Sequence, residues 1–233
     1  MLQQPSAYFR SSSAREIYMK KSQGGLQLSE TSEKGITVSE MKEMEEKAYS
    51  SGTTERELME RAGRGCAGII ECNTGKGNSI LVFCGPGNNG GDGLVCARYL
   101  STKNKVSAVI LSEPRTELSR INLERARDAG VKIIPLEDAH SFPPKVIVDA
   151  LLGMGARLPL EGRIKEACDI INSSSGFTIS IDIPTGMDAG TGEKDVSAVK
   201  PDATICIQEP KRGVVLGGEA NTGELWILNI GLW

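Results

Sequence analysis

Uninterrupted apolar runs of strand length recur along this chain, and segments with helical periodicity separate them. The runs are residues 80–84, 106–111, 146–149, 179–182, 203–207 and 225–228, with a shorter one at 131–134. Because apolar residues fill each run instead of alternating with polar ones, we expect both faces of each strand to be covered. Strands interleaved with helices favour parallel pairing through right-handed crossovers. The sequence therefore predicts an α/β fold, a Rossmann-like three-layer sandwich with a mostly parallel central sheet.

Two capping boxes mark the beginning of the folded part. Thr37 is followed by Glu40, and Thr54 by Glu57, and each pair precedes apolar residues at helical spacing. The sequence therefore predicts two helices before the first strand.

The chain before these boxes has a different character. Residues 1–35 lack a periodic apolar face, and their early part is rich in serine. We expect a flexible N-terminal extension over 1–35 and one folded domain over 36–233. Arg10, Arg15 and the scarcity of acids also suit an organelle transit peptide, although a plain tail is the favoured interpretation.

Composition excludes several classes of function. With 27 Lys and Arg against 30 Asp and Glu, the net charge is −3, and aromatic residues are only 4% of the chain. Neither value favours a nucleic-acid surface. No apolar run reaches the roughly 18 residues that a membrane span needs. One histidine, His140, rules out a histidine-based zinc site, and six cysteines without a Cys-x-x-Cys pair indicate buried thiols in a reducing compartment, which favours the cytoplasm.

The first candidate site is the glycine-rich segment after the first strand. Gly85, Gly87 and Gly90 match the dinucleotide-binding spacing G-x-G-x-x-G, a weak signal when it stands alone. Bare amides that run into a helix N-terminus favour an anion such as a phosphate. Asn88, Asn89 and Asp92 add side-chain donors and acceptors, and a strand-to-helix turn with asparagines in left-handed positions is the structural alternative.

Two aspartates end later apolar strands. Asp149 and Asp182 are expected at the carboxyl ends of their strands, where open α/β sheets bind ligands. Burial of such a carboxylate is costly without a partner, so Asp149 calls for a cation or a ring of donors, unless it caps the next helix. Asp182 is a candidate general base or ligand clamp, and Asp188 suits either a site or a solvated turn.

These segments together resemble the NAD(P)H-hydrate epimerase family, also called the YjeF N-terminal domain family. The resemblance covers roughly residues 37–233 and rests on residues 85–94, 180–188, 210–213 and 229–232. Enzymes of this family interconvert the R and S epimers of hydrated NADH and NADPH at carbon 6 of the nicotinamide. A dehydratase specific for one epimer can then repair the whole pool.

The resemblance implies roles for individual residues. Asn89, Asp149 and Thr185 match positions that hold one potassium ion per subunit, and Asp182 matches a substrate-contacting aspartate. The implied substrate-binding residues are Asn88, Asn89, Gly90, Gly91, Asp92, Gly153, Met154, Gly155, Ala156, Arg157, Leu158, Pro159 and Asp182. Arg61 stands where relatives often have asparagine.

The resemblance also implies partners. It predicts hydrated NADH or NADPH as substrate, a separate ADP- or ATP-dependent dehydratase as functional partner, and a homodimer. It predicts neither a membrane nor a nucleic acid.

The chemistry of this substrate fits the residues. Carbon 6 carries a hydroxyl group and the ring nitrogen, so inversion needs proton transfer and no hydride acceptor. One positioned carboxylate can shuttle such a proton, which is typically worth about 10²–10⁴-fold. We assign this role to Asp182. Lys211 is a second candidate, whose alternative interpretation is a surface lysine.

Two other functions stay open on the sequence. A dinucleotide-dependent oxidoreductase would need an acidic ribose clamp near the end of the second strand, where Glu113 is a slightly late match. A non-catalytic nucleotide- or RNA-binding scaffold of the same fold, as in messenger-RNA decapping enhancers, would have altered site residues, whereas the Asp and Asn positions persist here.

Overall fold

The computed structural model describes residues 34–232. The predicted flexible extension over 1–35 lies outside the described residues except for its last two. The strands are β1 (Ser79–Cys84), β2 (Lys105–Ile110), β3 (Lys132–Ile134), β4 (Val146–Ala150), β5 (Phe177–Ile181), β6 (Ala203–Ile207) and β7 (Glu224–Leu228). The helices are α1 (Val38–Ser50), α2 (Glu55–Thr74), α3 (Asn88–Leu100), α4 (Glu117–Asp128), α5 (Gly162–Ser173), α6 (Arg212–Gly217) and α7 (Glu219–Thr222), and a 3₁₀ helix spans Leu136–Ser141.

The seven strands form one sheet in the order β3-β2-β1-β4-β5-β6-β7, and every neighbouring pair is parallel. The predicted Rossmann-like sandwich is confirmed, and the sheet is wholly parallel where a mostly parallel one was expected. The strand order reverses between β1 and β4, so the chain leaves these adjacent strands toward opposite sides of the sheet. Such a switch point opens a crevice beyond the carboxyl ends of the strands.

Successive residues of each strand point to opposite faces, and helices cover both. On β1, Ile80 and Val82 pack in the larger core with apolar residues of α2, α3 and α4, whereas Leu81 and Phe83 pack in a second core with the 3₁₀ helix and α5. All four side chains are at most 1% exposed. Burial on both faces explains why the strands are continuous apolar runs.

Both predicted capping boxes are present at the N-termini of α1 and α2. The Glu40 amide donates to Thr37 Oγ1 at 3.2 Å, and the Thr37 amide donates to Glu40 Oε2 at 2.7 Å. Thr54 and Glu57 make the same reciprocal pair. Each box satisfies backbone donors that the first helical turn leaves free.

The glycine-rich segment is less of a loop than its composition suggested. Helix α3 begins at Asn88, so only residues 85–87 connect it to β1. Neither Asn88 nor Asn89 has a positive φ, which excludes the left-handed turn that the sequence left open. Both asparagines therefore lie in the first turn of a helix.

The six cysteines are all free thiols, and all but Cys72 are buried, as the sequence predicted. Within residues 34–232, no helix is long and apolar enough to cross a membrane.

Candidate active site

A cavity of about 460 Å³ lies at the switch point, beyond the carboxyl ends of the strands. Segments that follow β1, β4, β5 and β6 form its floor, and α1 and α2 contribute its opposite wall. Nine residues that the sequence singled out line it, namely Gly87, Asn88, Asn89, Asp92, Gly153, Met154, Gly155, Asp182 and Lys211. Both the volume and the position are those of a small-molecule site.

Glycines let the strand-end segments approach each other closely. A Cβ atom on Gly85 would lie 1.8 Å from the carbonyl oxygen of Leu151, and one on Gly90 would lie 1.9 Å from that of Gly85. Real side chains do not tolerate such contacts, so these positions exclude every other residue type. The glycines therefore serve backbone packing under the cavity, in addition to any contact with a ligand.

The N-terminus of α3 opens onto the cavity without a side-chain cap. Its N-cap residue is Gly87, and the first turn contains no acidic residue. Gly87, Asn88 and Asn89 all line the cavity. Free backbone N–H groups and the positive end of the helix dipole make this terminus suitable for an anionic group.

Asp149 lies beneath the cavity, fully buried at the end of β4. Its carboxylate accepts hydrogen bonds from the Ser180 hydroxyl (2.8 Å), the Thr185 amide (2.9 Å), the Thr185 hydroxyl (2.7 Å) and the Leu151 amide (3.2 Å). Burial raises the pKa of this carboxyl, and the hydrogen bonds oppose the shift. The sequence predicted a cation or a ring of donors here, and the described residues supply the ring of donors.

Asp182 follows β5 and forms a buried ion pair with Lys211. The backbone of Asp182 has φ = 70°, a left-handed conformation that a non-glycine residue rarely adopts and that costs on the order of 1–3 kcal/mol. This strained turn directs the carboxylate into the cavity, where only 7% of the residue is exposed. Strain of this kind is concentrated at functional sites.

Lys211 is fully buried, so its interpretation as a surface lysine is wrong. Besides the ion pair, its Nζ atom donates to the Ile207 carbonyl oxygen at 2.8 Å. The segment before α1 holds the lysine backbone in place, because Ile36 pairs with Lys211 as an isolated parallel bridge. The available sequence signal was its position four residues after the apolar strand β6.

Other predicted residues do not reach the cavity. Gly90 and Gly91 pack inside the fold, the latter against Met59 and Ser119. Ala156, Arg157, Leu158 and Pro159 continue the segment after β4 outward, and the last three are exposed.

The structure also shows that Glu113, Asp188 and Arg61, which the sequence named as further candidates, lie outside the cavity. Glu113 is exposed and does not line the cavity, so no acidic ribose clamp forms there. Asp188 accepts from the Gly190 and Thr191 amides at 2.9 and 2.7 Å, which makes it a turn residue. Arg61 lies outside the cavity and contacts the Ile230 carbonyl oxygen at 3.3 Å.

Several cavity residues escaped the sequence reading because they come from helices that pack over the strand ends. Glu45 and Tyr49 of α1 and Glu55 of α2 line the cavity, and Glu55 accepts a hydrogen bond from the Asn88 amide group at 2.9 Å. Gln208 is a second residue with a positive φ, and its side chain accepts from the Ile230 and Leu232 amides. No pattern in the local sequence marks either the helix residues that line the cavity or the positive φ of Gln208.

A larger surface groove of about 650 Å³ lies elsewhere, between α2, α3 and α4. Charged side chains line it, and some pair with one another, as Arg98 does with Glu60 at 2.7 Å. None of the strand-end residues borders it, so the switch-point cavity is the better candidate site.

Comparison with known proteins gives a consistent result. The family model of the YjeF-related protein N-terminus matches residues 55–213. An NAD(P)H-hydrate epimerase of Rhodopirellula baltica is 39% identical over 75% of this chain and 75% of its own length. One from Elusimicrobium minutum is 31% identical, over 85% of this chain and 96% of its own.

Longer proteins match as well. A bifunctional NAD(P)H-hydrate repair enzyme of Thermofilum pendens is 38% identical over 83% of this chain, which spans only 39% of that enzyme. The crystal structure of the yeast protein ynu0 (YNL200c) superposes with a TM-score of 0.70 at 27% identity, over 80% of this chain and 85% of that one.

Proposed function

We propose that this chain, which belongs to the family of the YjeF-related protein N-terminus, is an NAD(P)H-hydrate epimerase. Its substrate is hydrated NADH or NADPH, whose R and S epimers differ at carbon 6 of the nicotinamide ring. The buried ion pair of Asp182 and Lys211 on the floor of the switch-point cavity is the observation that carries this proposal.

The dinucleotide is anchored by its phosphates at the uncapped N-terminus of α3. Gly87 and Asn88 border the cavity there, and free N–H groups favour an anion. Gly153, Met154 and Gly155 form the facing wall. Ala156 to Pro159 follow outside the cavity, and their proposed contact with the substrate rests on the family resemblance alone.

Asp182 moves the proton at the reacting carbon. Its carboxylate faces the cavity, and the ion pair with Lys211 holds it in place. A charged carboxylate held in a fixed direction is ready to accept a proton from a hydroxyl group or a water molecule at carbon 6. Lys211 acts on the reaction through Asp182, as a positioning residue.

We also propose that Asn89, Asp149 and Thr185 hold a potassium ion. Two observations support this. The buried Asp149 carboxylate has no cationic partner among residues 34–232, and the Nδ2 end of the Asn89 amide is buried without any partner. Carboxylate, hydroxyl and amide oxygens are suitable ligands for such a cation, provided that the amide presents its oxygen. The ion would supply a positive charge that neutralises Asp149 beneath the substrate.

The wider assignment follows from the same activity. The product epimer needs a dehydratase, and we propose a separate ADP- or ATP-dependent enzyme as the functional partner. We further propose a homodimer that works in the cytoplasm, where free thiols persist.

One experiment tests the activity directly. A single purified epimer of hydrated NADH is incubated with the protein, and the second epimer is followed by chromatography. We expect equilibration with the parent protein and a loss of about 10²–10⁴-fold in rate with Asp182→Asn. Equal rates in the parent and in folded Asp182→Asn would remove Asp182 from the mechanism.

A further inference from the structure

Among residues 34–232, four acidic side chains line the cavity, and one of them is paired with a cation from this part of the chain. Asp182 has Lys211, whereas Glu45, Glu55 and Asp92 have no ion pair with any residue from 34 to 232. The cavity is therefore rich in carboxylates around a single buried ammonium group.

Asp92 differs from Glu45 and Glu55, the other two acids without an ion pair in the described range, because it lies on α3. It lies one turn after Asn88 on α3, on the same face, and is half-buried. No hydrogen bond to its carboxylate occurs in the described part of the chain. It lines the same cavity as Asp182 and lies close enough to feel its charge, so within residues 34–232 the site has one carboxyl group with a counter-ion and one without.

The surroundings of Asp92 favour its neutral form. Burial raises the pKa of the Asp92 carboxyl well above its usual range, the charges of Asp182 and Glu45 raise it further, and Lys211 opposes them. Glu55 at the start of α2 acts in the same direction as Glu45.

Two exposed cations, Lys42 and Arg115, also line the cavity, and the other titratable groups near Asp92 are neutral side chains. They are the Tyr49 hydroxyl and the thiols of Cys66 and Cys96, and burial raises the pKa of all three. A protonated carboxyl group can donate a proton, and pairs of acids with opposite protonation states are the usual arrangement for acid–base catalysis.

We propose that Asp92 is the proton donor of the epimerisation and that Asp182 is the proton acceptor. This inference rests on the proposed function. The Asp92 carboxyl gives its proton to the hydroxyl oxygen on carbon 6, and the carbon–oxygen bond breaks with its electron pair on oxygen, so that water leaves. The lone pair of the ring nitrogen forms a double bond to carbon 6, and the ring becomes cationic.

A water molecule then adds to the opposite face of carbon 6. Its oxygen forms the new bond, the double-bond electrons return to nitrogen, and its proton passes to Asp182. One water leaves, one is added, and one proton moves from Asp92 to Asp182. The reverse reaction runs the same steps backwards, and exchange with solvent restores the starting state. Glu45 and Glu55 stabilise the cationic ring by their charge.

The test compares Asp92→Asn with the parent and with Asp128→Asn, the same chemical change at an exposed site outside the cavity. We expect kcat to fall about 10²–10⁴-fold in Asp92→Asn with KM within a few-fold, and Asp128→Asn to match the parent. Because a donor must be protonated, the parent rate falls as pH rises through the pKa of Asp92. That decline is absent from Asp92→Asn and is retained in the residual activity of Asp182→Asn.

A folded Asp92→Asn variant with parental kcat and an unchanged decline at high pH overturns the inference, while the proposed function stands. An inactive parent protein contradicts the proposed function itself. Should Asp92→Asn fail to fold, the parent alone still tests the inference: a rate that does not fall at high pH overturns the role of Asp92, and ¹⁸O-labelled water tests the bond cleavage. We expect each inversion to place one solvent oxygen on carbon 6, and inversion without this label excludes the proposed step.

Discussion

Replacing Lys211 with methionine tests the ion pair that holds the catalytic carboxylate. Lys211 is fully buried and Asp182 is 7% exposed, so the variant leaves the buried Asp182 carboxylate without a counter-ion. Breaking a buried pair in this way costs about 3–5 kcal/mol. The unpaired carboxylate can take up a proton instead. Protonation at pH 7 costs about 4 kcal/mol, because an aspartic acid ordinarily titrates near 3.9. We therefore expect a loss of about 3–4 kcal/mol at pH 7.

The loss should depend on pH and on the partner. The cost of protonating a carboxylate falls by about 1.4 kcal/mol per pH unit, so Lys211→Met should approach the parent in stability as pH falls toward 4. The double variant Lys211→Met/Asp182→Asn removes both charges, and we expect it to be more stable than Lys211→Met alone by about 2 kcal/mol. Asparagine tolerates the left-handed backbone at position 182, so the double variant adds no backbone strain to the comparison.

Urea unfolding of the parent, Lys211→Met, the double variant and a control variant measures these differences in stability. With a slope of about 3 kcal/mol per M urea, Lys211→Met should unfold about 1 M earlier than the parent at pH 7. Lys132→Met, which changes an exposed lysine on β3, serves as the control and should match the parent. A loss below about 1 kcal/mol for Lys211→Met, or no recovery in the double variant, would refute the view that the pair is buried and coupled.

Three further predictions follow from the site. Exchange of potassium for N-methylglucamine should weaken binding of hydrated NADH, potassium should restore it, and equal affinity in both salts contradicts the proposed ion site. Gly90→Ala should lose about 2–3 kcal/mol of stability because its Cβ would meet Gly85 O at 1.9 Å, whereas Gly68→Ala, with open space on α2, should gain about 1 kcal/mol; equal chemical-denaturation midpoints would contradict this. Because the pKa of Asp92 is raised in the folded state, the native protein binds more protons than the unfolded chain above the ordinary carboxyl pKa. The free energy of unfolding of the parent should therefore fall as pH rises through this window, and a decline of the same size in Asp92→Asn would disprove it.

Local sequence features foretold most of the fold. Continuous apolar runs located all seven strands within two residues at each end, because burial on both faces leaves no alternation to obscure them. The capping boxes located α1 and α2, since a cap is a contact between residues three apart. The start of α3 at Asn88 was missed, because glycine and asparagine favour a loop and the close approach of Gly90 to the Gly85 backbone has no local sequence pattern.

Sequence patterns predicted the site residues that end strands. They missed the site residues whose position depends on packing between distant segments. Asp149 and Asp182 end apolar strands, and the carboxyl ends of parallel strands meet at one edge. The burial of Lys211 depends on its pairing with Ile36 and Asp182, which are distant in sequence. Asp92 belonged to the predicted segment, but its lack of a partner becomes visible only when Asp182 and Glu45 are in position.

The most direct test of the account is whether this protein converts the second epimer into the one that a dehydratase can use. A stereospecific dehydratase is given the epimer that it cannot use, and NADH formation is followed at 340 nm with and without the purified protein. We predict that conversion proceeds to completion with the parent protein and slows strongly with Asp182→Asn. A progress curve that stays at the spontaneous rate in the presence of folded protein would contradict the account.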